Sequence, residues 1–139
     1  MANEPTETLT PEQLLENLQR FTGSEQFIRH PFSRSVVYTE GVHYLAEEAG
    51  AFWLIDAIAS YFGSPEMRAA IAQDERLETL QFWHLKVTDP GAVLTARADK
   101  GETPFITQEI PFTDFPLREI DIWAGFNGAG WTLYLPSEH

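Results

Sequence analysis

Asp56 is the one carboxylate inside the most apolar stretch of the chain, Ala49–Phe62. On a helix its neighbours three and four positions away are Phe52, Trp53, Ala59 and Ser60, so its surroundings are mostly apolar. A carboxylate in such a place either takes up a proton or accepts hydrogen bonds from amides, a histidine, an arginine or an indole. In a cleft it is an acid or base with a raised pKa; in a core it is a hydrogen-bonding anchor, the commoner arrangement. The reading expects Asp56 to be largely buried. The chain has four histidines, His30, His43, His84 and His139. His43 falls on a predicted helix and His84 in a predicted strand, so either reaches Asp56 only through folding. Asp56, His43 and His84 are the candidate catalytic set, a pairing that suits acid–base work and equally a static core bond.

A second set is the segment Arg29-His30-Pro31-Phe32-Ser33-Arg34, which holds two arginines and a histidine with no acid among them. Arg29, His30 and Arg34 are candidates for an anionic ligand, against the blander reading of a solvated loop neutralised by neighbouring carboxylates. Asp114, before Phe115-Pro116, is a further polar candidate, and its structural reading is an Asx-type turn. No HExxH, nucleophile elbow, P-loop or GxGxxG occurs, so neither a metal nor a cofactor is expected. The glycine-rich run Gly125–Gly130 contains Asn127-Gly128 and reads as a hairpin loop.

The elements that must position these residues follow from period and punctuation. Thr10-Pro11-Glu12-Gln13 is a helix start with a capping box, and Leu14, Leu15, Leu18 and Phe21 form its apolar stripe. Gln26–Arg29 and Val36–Tyr38 read as short extended pieces. Thr39 caps a helix over Val42–Glu48, Gly63 closes the central helix, and Ser64-Pro65 opens another to about Gln73. The central helix is apolar on every side, which predicts that it is buried. From Leu80 the texture changes to strands, Leu80–Val87, Ala92–Ala98, Phe105–Ile110, Ile120–Phe126 and Trp131–Leu135, separated by tight turns that demand antiparallel neighbours. The expected fold class is α+β, with N-terminal helices packed on one face of a C-terminal antiparallel sheet of about five strands. One domain over 1–139 is expected: 1–9 disordered, 10–79 mainly helical, 80–136 sheet.

With 21 acidic and 9 basic residues the net charge is −12, a field that repels phosphate backbones and anionic lipid. Nucleic acid and membrane are therefore excluded as expected partners, and another protein is favoured. There is no cysteine, and the first residues lack the pattern of a secretory signal, so the expected location is cytoplasmic.

Three phrases carry a family resemblance: Phe21-Thr22-Gly23-Ser24-Glu25; the run from Tyr38-Thr39-Glu40-Gly41-Val42 through Ala46-Glu47 to Trp53–Ser60; and Thr113-Asp114-Phe115-Pro116-Leu117 with Leu135-Pro136-Ser137-Glu138. Together they resemble a family of small uncharacterised bacterial proteins found on plasmids, phages and cyanobacterial genomes. Glu40 departs from a family aspartate and His139 from an aromatic terminus. The resemblance implies a compact domain of unknown function and supplies no activity. The functional expectation is a non-enzymatic acidic accessory domain that binds another protein, encoded on a mobile element. The alternative is a small hydrolase-like or ligand-binding enzyme built on an Asp/His cleft.

Overall fold

The computed structural model describes residues 9–23, 26–33 and 35–139. Along the chain run α1 (Pro11–Leu18), β1 (Phe27–Arg29), β2 (Val36–Thr39), α2 (Glu40–Ala49), α3 (Phe52–Tyr61) and α4 (Pro65–Gln73). They are followed by β3 (Leu80–Val87), β4 (Ala92–Arg97), β5 (Ile106–Ile110), β6 (Glu119–Phe126) and β7 (Trp131–Tyr134). Short 3-10 helices lie at Glu75–Glu78 and Pro136–Glu138. No helix among the described residues is long and apolar enough to cross a membrane.

Local chemistry explains the helix ends. The Thr10 hydroxyl accepts from the Gln13 N–H at 3.1 Å while the Gln13 side chain accepts from the Thr10 N–H at 2.9 Å, so two orphan donors of α1 are satisfied at once. The Thr39 hydroxyl accepts from the Val42 N–H at 3.2 Å, and Gly50, at φ 62°, ends α2 in the left-handed conformation that glycine adopts without strain. Ser64 caps α4 through the Met67 N–H, with Pro65 at its first position.

The α+β class is as expected, but among the described residues the sheet has seven strands in the order β1-β2-β7-β6-β3-β4-β5, not five. Strands β3 to β7 pair antiparallel throughout. The two extra strands come from the helical half. β1 pairs antiparallel with β2, and β2 lies parallel to β7, with Val36 opposite Trp131 and Tyr38 opposite Leu133. Parallel pairing needs a long crossover, and the whole segment from α2 to β6 supplies it. Without β2, the outer edge of β7 would leave its backbone groups unpaired.

One face of the sheet belongs to the core. Trp83 and Leu85 of β3, Leu94 and Ala96 of β4, Ile122 and Ala124 of β6 and Leu133 of β7 join Leu14, Leu18, Leu45, Leu54, Ile58 and Met67 from the helices in a single buried cluster. The rings of Tyr61 and Phe62 lie 5.6 and 6.1 Å from that of Trp83. The buried Trp83 indole donates to Gln81 Oε1 at 3.1 Å, and Gln81 Nε2 donates to the Leu77 carbonyl at 3.0 Å, so this polar insertion is satisfied.

The central helix is not buried on every side. Leu54, Ile55, Ile58 and Ala59 of α3 are buried, while Phe52, Asp56 and Ser60, one turn apart, form an exposed line. An apolar average hid this face, because Phe52 is apolar yet lies outside and its neighbours in the line are one acid and one hydroxyl.

Candidate functional site

Two places bring chemically capable side chains together. The first surrounds Asp56. Its side chain is 58% exposed, and Oδ1 accepts at 2.7 Å from Nε2 of His30, which is only 5% exposed. Nδ1 of His30 accepts from the backbone N–H groups of Phe32 at 3.2 Å and Ser33 at 3.0 Å. An N–H can only donate, so Nδ1 must present its lone pair and the ring proton sits on Nε2, aimed at Asp56. Both ring nitrogens are thereby spent on holding the turn after β1 against α3. The Ser60 hydroxyl donates to the Ala57 carbonyl at 2.7 Å, so it too is turned back onto its helix. These groups, with Phe32 and Phe62, line an open recess of about 390 Å³.

This corrects three expectations. Asp56 is exposed rather than buried, because it stands on the outer line of α3. Its histidine is His30, not His43 or His84. His43 stacks on Tyr38, centroids 6.2 Å apart and nearly parallel, and meets Phe52 edge-on at 5.6 Å. Tyr38 feels the site: burial first, then the Asp56 charge, push its hydroxyl pKa up. His84 lies on β3, pairing with carboxylates of β6, so the set Asp56, His43 and His84 does not converge.

The anion-site set does not assemble either. His30 is buried and committed, Arg29 is exposed at the end of β1 and does not line the recess, and Arg34 lies outside the described residues. At Asp114 the turn is made by its neighbour: Thr113 Oγ1 accepts from the Phe115 N–H at 3.1 Å, and Asp114 is exposed.

The second place is the sheet face turned away from the core. Side chains alternate across a strand, so Phe82, His84 and Lys86 point opposite to Trp83 and Leu85. The register sets Phe82 beside Trp123 and Arg97, His84 beside Asp121 and Thr95, and Lys86 beside Glu119. His84 Nδ1 lies 2.7 Å from Asp121 Oδ1 and Nε2 lies 3.1 Å from Glu119 Oε1. Only an imidazolium donates from both nitrogens, and the Asp121 hydrogen bond, opposed by partial burial, raises the His84 pKa. The carboxylates engage opposite sides of one ring, which is a poor arrangement for sharing an ion. Among the described residues no group of three or more such side chains could hold a metal. The link from β4 to β5 walls this face into a recess of about 450 Å³.

Alternation in Leu80–Val87 already implied that Phe82, His84 and Lys86 share a face. What no single strand shows is which residues of β4 and β6 stand beside them.

Comparison with known proteins places these sites in an uncharacterised setting. The profile of a family of unknown function, DUF6876, matches residues 12–139. No curated protein matches the chain. The chain is similar to a crystal structure of a protein of unknown function from Enterococcus faecalis, at 20% identity over 82% of this chain and 98% of that one, with a TM-score of 0.49.

Proposed function

The chain belongs to this family of unknown function, and from that premise we propose that it is a non-enzymatic accessory domain that binds a basic segment of another protein. The observation that carries the reading is the exposed carboxylate of Asp56, with Phe52 one turn away on α3 and Phe32 lining the same recess. Phe52, one turn earlier on α3, is 43% exposed, and Phe32, whose ring lies 6.1 Å from that of His30, is 87% exposed. An exposed acid with exposed rings on the same face suits a lysine or arginine with its hydrocarbon stem laid along a ring. The net charge of −12 steers such a partner towards the surface. His30 fixes the carboxylate in place beforehand, which lowers the ordering cost of binding. The reading includes a cytoplasmic setting and an origin on mobile elements; the latter rests on the sequence resemblance.

The test is affinity capture from the host with the native chain and with Phe32→Ser and Asp56→Lys, the fold of each variant being checked by circular dichroism. A basic protein retained by the native chain and released by both variants supports the proposal. Equal retention by all three, or no partner retained above a control column, overturns it.

A further inference from the structure

The recess on the open sheet face is a separate site, and we propose that it binds a small anionic ligand with a flat aromatic ring, its anion a carboxylate or a phosphate. The argument begins with charge. Lys86 and Lys100 are the only two lysines of the chain, and both line this recess together with Arg97. In a chain with more than twice as many acids as bases, such cations would ordinarily be neutralised by nearby carboxylates. The three carboxylates of the recess are shared with other cations, Glu119 and Asp121 with His84 and Glu102, beside Asp74, with Arg76, so that the cluster carries one net positive charge when His84 is protonated. Glu119 and Asp121 face the two nitrogens of His84. Glu102 receives both terminal amino groups of Arg76, at 2.8 and 2.9 Å, and the Arg76 hydrogen bonds hold its carboxyl pKa below the usual value. None of Lys86, Arg97 and Lys100 has an ion pair among the described residues.

Arg97 is also held in position. Its Nε donates to the Glu102 carbonyl at 2.9 Å and Nη1 donates to Thr95 Oγ1 at 2.9 Å. The remaining amino group is left for an incoming acceptor, and a guanidinium so fixed loses little freedom on binding. Beside the cations stand the rings of Trp123 and Phe82, centroids 4.9 Å apart and almost perpendicular, with the Lys100 ammonium 5.9 Å from the Trp123 centroid. A cation resting over an indole is a small attraction that an anion bound to Lys100 can replace, freeing the ring face for stacking. The volume, about 450 Å³, lies within the ordinary range for small-molecule sites and is too small for a folded partner. The long-range field of the protein opposes polyanions, which favours a ligand with one anionic group over a nucleic-acid strand.

The experiment is a titration of the ¹⁵N-labelled chain followed by amide NMR shifts. Benzoate and phenyl phosphate are the probes, with benzyl alcohol (ring without charge) and inorganic phosphate (charge without ring) as controls. Saturable shifts confined to β3, β4, β6 and the β4–β5 link are expected for at least one probe, with each control weaker by about tenfold or more. The better of the two probes identifies the anion. Lys86→Gln, at an exposed position that leaves the fold intact, and Arg97→Gln should each weaken the bound probe by about tenfold. No saturable shift at millimolar probe, an equal response to benzyl alcohol, or unchanged affinity in both variants overturns the proposal. Its outcome is independent of the Asp56 surface, which uses none of these residues.

Discussion

His30 Nε2 lies 2.7 Å from Asp56 Oδ1, and the two partners differ sharply in environment, 5% against 58% exposed. A buried imidazole and a wet carboxylate make an asymmetric pair. Removing the carboxylate lets water reach the released N–H, whereas removing the imidazole strands the Phe32 and Ser33 N–H groups and opens a void.

The two substitutions should therefore differ. His30→Ala is expected to cost about 1–3 kcal/mol of stability, and Asp56→Ala about 1 kcal/mol or less, as for other exposed pairs. Urea midpoints of the single and double variants measure both costs and the coupling between them. An Asp56→Ala loss as large as that of His30→Ala would contradict the asymmetry.

The His84 pair predicts a pH dependence. Its pKa is raised above 6.5 in the folded chain, mainly by the Asp121 hydrogen bond. A raised value means that the folded state binds the proton more tightly than the unfolded state. The contribution is fully present below about pH 6.5 and fades as pH rises through the folded value. Stability of the native chain compared with His84→Gln across pH 5.5–9 should show a difference that shrinks as pH rises; a constant difference would dissociate His84 from its carboxylates.

Thr39 joins the end of β2 to the Pro136–Glu138 turn. Its hydroxyl donates to Glu138 Oε1 at 2.7 Å while accepting from the Val42 N–H, and the same Oε1 accepts from the Leu135 N–H at 2.9 Å. Thr39→Val keeps the shape and removes the cap, so thermal unfolding should show a loss of about 1–2 kcal/mol.

Gly91 sits where a Cβ would run into the Ile110 and Pro111 carbonyl oxygens. Backbone cannot move aside as a flexible side chain can, so Gly91→Ala should destabilise by about 1–3 kcal/mol. A denaturant midpoint equal to that of the native chain would show that the β4–β5 pairing adapts freely there.

Duplex DNA should not bind at physiological salt, because the net charge opposes the phosphates. A salt-sensitive mobility shift at micromolar protein would refute this and direct attention to the cations of the open sheet face, Lys86, Arg97 and Lys100.

Much of this architecture was legible in the order of residues. Thr10 with Gln13, Thr39 before α2 and Ser64-Pro65 marked helix starts through side-chain oxygens that accept from a backbone N–H three positions on. The tight turns at Asp89-Pro90-Gly91 and Asn127-Gly128 required antiparallel neighbours, and β3 to β7 are antiparallel. Each of these is a contact within a few positions, so composition and spacing determine it.

Tertiary structure alone decided the rest. That β2 lies parallel to β7 depends on where a crossover of ninety-odd positions returns, which no local rule constrains. The side of α3 that meets water depends on what packs against it, so Asp56 reads as buried from its neighbours in sequence and is exposed in space. The pairing of Asp56 with His30, rather than His43 or His84, spans 26 positions. The meeting of His84 with Asp121 spans 37 and is set by strand register. Local hydrogen bonds and periodicity specify the elements; the sites exist only where packing and register bring distant residues within about 3 Å of each other.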